Sequence, residues 1–191
     1  NKSEQVIHLL NKLKRVDNSE IIVIDDGSEP HHTERLLAQL DKGNHFLIRS
    51  NDLYEVITYD RAINMARGHL IALLQDDDDF ETYDWIQDAV VHFGNVAELA
   101  ILGGRMAITP LPFVKKPNTK IGEYVKEGNI GKVKNLMLQD EAIDETYPNN
   151  FQFTPVVVRA PMWLRKQHFI DHIQHIDQDY APFLVDDYEM C

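Results

Sequence analysis

Two apolar runs, each ending in a cluster of acids, constrain most strongly how this chain can fold. The run Ile21–Ile24 leads into Asp25-Asp26-Gly27-Ser28, and residues 70–74 lead, after one glutamine, into Asp76–Asp79. Short β-branched runs predict buried strands, and ligands of open α/β sheets lie just beyond the carboxyl ends of the strands. Adjacent carboxylates repel one another unless water or a cation takes up the charge. Mg²⁺ and Mn²⁺ prefer oxygen ligands and often bridge to phosphate, so the pattern predicts a metal and a phosphorylated ligand.

Helical and strand-like patterns alternate along the first half of the chain. Apolar spacing predicts a helix over Ser3–Arg15. The further predicted elements are a strand at 20–25, a helix at 33–41, a strand at 45–49, a helix at 55–67, a strand at 69–75, a helix from Trp85 to Gly94, strands at 99–108 and 153–158, and a helix that starts at Pro161. This alternation predicts an α/β domain with a mostly parallel, doubly wound central sheet and helices on both faces. Because the order opens on a helix, we expect a further strand before Asn1.

Composition restricts the classes of function. The chain has 191 residues, which is the size of one domain, and a formal net charge of −12 argues against nucleic acid as a partner. The only cysteine, Cys191, excludes an intramolecular disulfide and favours a reducing compartment. No run approaches the roughly twenty apolar residues that a membrane span needs. We therefore expect a cytoplasmic protein. Peripheral attachment to a membrane, through segments outside this sequence, stays open.

Taken separately, each acidic cluster has an ordinary structural explanation. Asp25-Asp26-Gly27-Ser28 could form only a turn and a helix cap, although such an acid pair can also bind a nucleobase or ribose. The run Asp76–Asp79 could form a solvated loop that caps the helix of Trp85. The histidines His168, His172 and His175 share a predicted helical face and could bind a transition metal, but ordinary surface histidines are the simpler interpretation.

The order and spacing of five motifs resemble the inverting glycosyltransferases of the GT-A fold, family 2 type. The motifs that carry the resemblance lie at residues 20–28, at 59–68, at 73–78 with Trp85 downstream, at Gly103-Gly104, and at 185–191. Together they span nearly the whole chain except about 109–150. The resemblance implies a single GT-A (Rossmann-like) domain over 1–191, with a half that binds the nucleotide sugar (1–108) and an acceptor or catalytic half (109–191).

The resemblance also implies roles for individual residues. Asp25, Asp26, Arg61 and Asp76 are expected to bind the nucleotide, and Asp77 and Asp78 the metal, as the D-x-D region of the family does. Within the run, Asp77 is the best single choice for the metal. Asp187 matches the catalytic base, which would take a proton from the acceptor hydroxyl. Residues that could contact the sugar or acceptor are Gly104, Arg105, Trp163 and Asp186.

The expected reaction is metal-dependent transfer of a sugar, of hexosyltransferase type. The cofactor would be Mn²⁺ or Mg²⁺, the donor a nucleoside-diphosphate sugar with UDP favoured, and the acceptor a hydroxyl group of a polysaccharide or glycoprotein glycan. The chain would then be one domain of a larger protein. Two alternatives remain open at this point: a non-catalytic nucleotide-binding domain, and a Mg²⁺-dependent phosphotransfer or receiver-like domain.

One departure from the family concerns the segment before the last motif. Family members usually carry a glycine pair there, whereas this chain reads Ile173-Gln174-His175-Ile176-Asp177. Since that loop generally faces the donor sugar or the acceptor, the sequence does not identify either.

Overall fold

The computed structural model describes residues 1–41, 43–106 and 157–181, where helices and strands alternate largely as predicted. The elements are α1 (Ser3–Leu13), β1 (Ile21–Asp26), α2 (Pro30–Leu37), β2 (His45–Ser50), α3 (Tyr54–Met65), β3 (Leu70–Leu73), α4 (Asp84–Asn95), β4 (Ile101–Met106), β5 (Val157–Arg165) and α5 (Lys166–His168). After α5 come a π-helical turn (Phe169–Ile173) and a 3₁₀ turn (Gln178–Tyr180). No helix in the described ranges is long and apolar enough to cross a membrane.

The described strands form two small sheets. β1 and β2 pair in parallel, with Asp25 opposite Arg49 and Asp26 opposite Ser50. The second sheet has the order β3-β5-β4, and β5 is antiparallel to both of its neighbours. The mixed α/β class predicted from the sequence is confirmed, with a small central sheet.

Helices cover both faces of the strands because alternate side chains point to opposite sides. On one face, Ile21 and Val23 of β1 pack with Leu10 of α1 and Leu36 of α2. On the other face, a core formed mainly by α3, β3 and β5 includes Val56, Ile63, Leu73, Met162 and Leu164, and Ile24 of β1 packs against it. Through Ile24 this core joins the two sheets, although β1 and β3 are not hydrogen-bonded to each other or through another described strand.

The prediction that Pro161 starts a helix is wrong. Pro161 lies inside β5, and the helix begins five residues later at Lys166. Between Gly103 and Arg105 the register of β4 against β5 shifts, since Gly103 opposes Met162 whereas Arg105 opposes Val158. Proline has no N–H to donate and is tolerated in strands at such irregularities, which explains its position here.

Glu20, directly before β1, binds the segment that follows α3. Its Oε1 accepts hydrogen bonds from the backbone N–H groups of Arg67 and Gly68, and its Oε2 lies 2.8 Å from Nε of Arg67. Burial by itself would raise the pKa of the Glu20 carboxyl, but these hydrogen bonds and the Arg67 charge hold that pKa below its usual value. The segment that the sequence singles out as a motif therefore includes a structural carboxylate.

A strained turn follows the π-helical turn, in the segment that lacks the glycine pair expected from the resemblance. The N–H of Gln174 donates to the carbonyl of Phe169 at the end of the π-helical turn, and the N–H of His175 donates to the carbonyl of Ile173 (2.8 Å). Gln174, at the centre of this three-residue turn, has φ 67° and ψ −54°. This is the rare, positive-φ form of the γ-turn, which strains any residue except glycine. The backbone geometry typical of glycine is thus present without the glycine.

The buried carboxylate of Asp60 holds the residues that follow this turn. Asp60 is 4% exposed on α3, and its Oδ1 accepts the N–H of Ile176 (2.9 Å). Its Oδ2 lies 3.3 Å from Nδ1 of His175. Asp60 therefore ties the segment after the π-helical turn to the core.

Candidate functional site

The start of α1 links the two acidic clusters. The side-chain oxygen of Asn1 accepts the N–H of Glu29 (2.9 Å), just beyond Asp25-Asp26-Gly27-Ser28. The ammonium group of the next residue, Lys2, lies 2.9 Å from Oδ1 of Asp76. Since side chains of two neighbouring residues reach both clusters, the carboxyl ends of β1 and β3 lie at one edge of the domain. We call this edge, with Asp25, Asp26 and Asp76–Asp79, the acidic edge.

Asp25 is the buried acid of the first pair. It is 3% exposed, its Oδ1 accepts the N–H of Ser28 (3.1 Å), and its Oδ2 accepts the hydroxyl of Thr33 (2.6 Å). Burial would raise the pKa of this carboxyl, but the hydrogen bonds from Ser28 and Thr33 and the Arg49 charge hold it below the usual value. Asp25 is therefore a carboxylate that shapes the turn between β1 and α2.

Asp26 organises the loop between β2 and α3. Its Oδ1 accepts the hydroxyl of Ser50 (2.7 Å) and the N–H of Leu53 (2.9 Å), while its Oδ2 accepts the N–H of Tyr54 (2.9 Å). Burial raises its pKa, but these bonds and one from the N–H of Asp52 lower it to a greater extent. Asp52 and Tyr54 have positive φ values of 59° and 63°, a strained geometry for non-glycine residues. The Asp26 carboxylate thus supports this strained loop at the acidic edge.

The four aspartates of the second cluster have four different environments. Asp76 pairs with Lys2, and Asp79 pairs with Lys12 and lies 3.5 Å from Nε2 of His8. Oδ2 of Asp78 accepts the N–H of Gln75 (2.7 Å), which closes a local turn. The structure gives Asp77, an exposed residue, no hydrogen bond or ion pair with any described residue. Asp77 is thus the member of the run whose carboxylate is available to a ligand.

The ion pairs between α1 and this run shift the pKa values of two groups, Lys2 and Asp79. The pKa of Lys2 is raised, first by its hydrogen bond to Asp76 and also by the charges of Asp76 and Asp77. The pKa of Asp79 is lowered, first by the hydrogen bond from Lys12. Both shifts favour the charged forms of Lys2 and Asp79.

The donor set at the acidic edge suits a hard divalent cation, although the described residues do not form a ready-made cage for one. No group of three or more His, Cys, Asp or Glu side chains within 1–41, 43–106 and 157–181 is arranged to hold a metal. The residues that could hold it are Asp77 and the neighbouring carboxylates of Asp76 and Asp78, all of which offer oxygen. Mg²⁺ and Mn²⁺ bound to phosphate often use only one or two carboxylates and complete their coordination with water.

Other residues predicted for the site have different surroundings. Arg61 is exposed on α3, seven residues beyond Tyr54, which places it about two helical turns from the Asp26 carboxylate. Trp163 is 9% exposed and packs with Trp85 and Phe93 in the core under α4, so its ring is a packing element. The backbone of Gly104 and Arg105 belongs to β4.

The expected catalytic base, Asp187, lies outside the described residues, as does Asp186, which was expected to contact the sugar or acceptor. The same is true of the chain from 107 to 156, which contains most of the proposed acceptor half.

Sequence reasoning missed the cations of the acidic edge. Arg49 donates to the carbonyl of Ser28 (3.0 Å) and lies opposite Asp25 in the β1–β2 ladder. Aligning the apolar runs of the two strands, Ile21–Ile24 with His45–Ile48, would have placed Arg49 there. Lys2 and Lys12 contact aspartates that lie 74 and 67 positions further along the chain, and no local sequence pattern predicts such contacts.

The fold and these positions define a mixed α/β domain of the GT-A (Rossmann-like) class, with acids at the carboxyl ends of β1 and β3. A family model described as glycosyl transferase family 2 matches residues 1–159. The chain belongs to this family, which confirms the resemblance seen in the sequence, and it contains a glycosyltransferase domain. No curated protein and no solved structure matched the chain.

Proposed function

We propose that this domain is a divalent-metal-dependent, inverting glycosyltransferase that moves a sugar from a nucleoside-diphosphate sugar to a hydroxyl group of a glycan or glycoconjugate. The observation that carries the proposal is the acidic edge. It brings two acidic clusters together while Asp77 keeps a carboxylate without a partner among the described residues. A receiver-like or phosphotransfer domain has no support from the family assignment.

The hydrogen bonds at the acidic edge distinguish the two acids of the first pair. A carboxylate offers about four lone-pair sites. Asp26 accepts hydrogen bonds from Ser50, Leu53 and Tyr54, which occupy three of those sites. Asp25 accepts the N–H of Ser28 and the hydroxyl of Thr33, which leaves two sites. We therefore assign the contact with the nucleobase or ribose to Asp25, while Asp26 positions the loop beside it.

Asp77 would hold the metal together with Asp76 or Asp78. The metal, when bound, neutralises the charge that develops on the departing nucleoside diphosphate. The chain's own part is to present oxygen ligands at the end of β3 and to hold the last two members of the run in place. Asp78 is held by the turn with Gln75, and Asp79 by its ion pair with Lys12.

We assign the role of base to Asp187, on the strength of the family motif at 185–191. An acceptor hydroxyl is a poor nucleophile at neutral pH, and a carboxylate within hydrogen-bond reach removes its proton as the new bond forms. Asp186, beside it, is our candidate for contact with the sugar or acceptor. We further propose UDP as the nucleotide of the donor, a place in polysaccharide or glycoprotein glycan synthesis, and a cytoplasmic location as one domain of a larger protein.

The test is a calorimetric titration of UDP, GDP and dTDP into the protein, in Mn²⁺ and in EDTA. The proposal predicts that one diphosphate binds and that its affinity falls when Mn²⁺ is removed. The matching nucleotide sugars are then incubated with hydroxyl acceptors, and transfer is followed by mass spectrometry. Metal-dependent nucleotide binding without transfer to any acceptor would instead favour a non-catalytic nucleotide-binding domain. If none of the three diphosphates binds, the proposal is wrong.

A further inference from the structure

Helix α1 lines the second acidic cluster with three basic side chains. Lys2, at the start of the helix, contacts Asp76, whereas His8 and Lys12 contact Asp79 at the other end of the run. The run thus has cations of the chain itself at both ends, and Asp77 lies between them. These contacts connect residues that are far apart in sequence, so they depend on how α1 docks beside β3.

The two lysines differ in how firmly they are held. The side chain of Lys12 is 25% exposed, and its ammonium group also donates to the carbonyl of Phe80 (2.7 Å). The backbone carbonyl of Lys12 in turn accepts the hydroxyl of Tyr83 (3.0 Å). The side chain of Lys2 is 55% exposed, and Asp76 is the one hydrogen-bond acceptor that the described residues provide for it. Lys12 is therefore a structural anchor, whereas Lys2 can leave its partner at little cost.

We propose that Lys2 is the resident counter-cation of Asp76 and that a divalent cation displaces it when it binds at Asp76 and Asp77. This inference rests on the proposed function, because it uses the same acidic edge as the metal site. Lys2 offsets one of the four negative charges of the run while no metal is bound, and it weakens the affinity for the metal by competing for the Asp76 carboxylate. The start of α1 is then released from the run as the metal binds.

The reason is electrostatic. A Mg²⁺ ion coordinated by a carboxylate lies about 2.0–2.1 Å from its oxygen. The ammonium group of Lys2 lies 2.9 Å from Oδ1 of the same side chain, so the two cations would repel each other at close range. The ion pair is exposed, and exposed pairs contribute little, so its removal should tighten metal binding by only about two- to fivefold.

The experiment measures Mn²⁺ affinity of the whole chain by electron paramagnetic resonance of free Mn²⁺, without nucleotide. Lys2→Met removes the competing charge and keeps an aliphatic side chain. Lys14→Met is the matched control, because Lys14 directly follows α1 just as Lys2 directly precedes it, and the structure gives Lys14 no ion pair with a described residue. The same pair of variants is repeated in an Asp76→Asn background, which forms a double-mutant cycle.

We expect Lys2→Met to bind Mn²⁺ about two- to fivefold more tightly than the unaltered chain, and Lys14→Met to bind it equally well. The gain should disappear in the Asp76→Asn background and shrink at high ionic strength, because exposed charges are screened. Equal affinity of Lys2→Met and the unaltered chain would overturn the inference, as would the absence of Mn²⁺ binding by either protein. The titration of nucleoside diphosphates in Mn²⁺ and in EDTA separates these results from a failure of the proposed function. Metal-dependent binding of a diphosphate leaves the proposed function standing even when Lys2→Met and the unaltered chain bind Mn²⁺ equally well.

Discussion

Replacing Gln174 with glycine should stabilise the domain, which is unusual for a glycine substitution. Gln174 has φ 67° and ψ −54° at the centre of a γ-turn, and its side chain is exposed. A residue held in such a sparsely populated region stores about 1–3 kcal/mol of strain. Glycine adopts a positive φ without a steric penalty, but it costs about 0.5–1 kcal/mol in backbone entropy. The balance is a gain of about 1 kcal/mol in the free energy of unfolding.

Urea denaturation followed by circular dichroism measures this gain as a higher midpoint with an unchanged slope. In thermal unfolding, the same gain raises the Tm by about 2–4 °C for a domain of this size. Gln174→Ala is the matched control, because it removes the same side chain but keeps the Cβ atom and therefore the strain. If Gln174→Gly is no more stable than Gln174→Ala, the turn is not strained and the reasoning is refuted.

Two further predictions concern Glu20 and Asp187. Glu20→Ala should lower the free energy of unfolding by about 2–4 kcal/mol, because two backbone N–H groups and Arg67 lose a charged acceptor. The control, Glu98→Ala, alters an exposed glutamate and should change that free energy by less than about 0.5 kcal/mol in the same urea assay. Since folding lowers the pKa of Glu20, its contribution to stability is complete above the unfolded pKa of about 4.3 and is lost as the pH falls through the folded pKa. Glu20→Ala should therefore lose less stability in acid than the unaltered chain. Parallel profiles of stability against pH for the two proteins would contradict this. Asp187→Asn should abolish sugar transfer while nucleotide affinity, measured by calorimetry, stays nearly the same, and normal turnover by this variant would show that the base has been assigned wrongly.

Periodicity in the sequence was sufficient to locate the helices and strands of the first half. Amphipathic spacing located α1 and α4, and the apolar runs located β1 and β3. These patterns succeed because each element buries one face or one stripe, which leaves a local signature. Pro161 misled the prediction because proline favours a helix start but is also tolerated at the irregular pairing of β4 with β5.

The candidate site was predictable in its residue types but not in its internal contacts. The acids at the ends of β1 and β3 follow from the sequence, since ligands of α/β sheets lie at the carboxyl ends of strands. Whether a given acid is already engaged depends on three-dimensional contacts, as the pairing of Lys2 with Asp76 illustrates. The structure therefore adds what the sequence left open, namely that Asp77 is the member of the run without such a partner among the described residues.

A comparison of Asp77→Asn with Asp79→Asn tests most directly whether the acidic edge binds a metal and a nucleoside diphosphate through Asp77. Both substitutions remove one negative charge from the same run, but Asp79 is already paired with Lys12. The measurement is calorimetric titration of UDP in the presence of Mn²⁺. GDP or dTDP takes its place if the titration of the three diphosphates shows that the protein binds that one instead. The account predicts that Asp77→Asn loses the Mn²⁺-dependent part of the affinity, whereas Asp79→Asn binds within about twofold of the unaltered chain because an exposed pair contributes little. Undiminished Mn²⁺-dependent binding by Asp77→Asn would contradict the account.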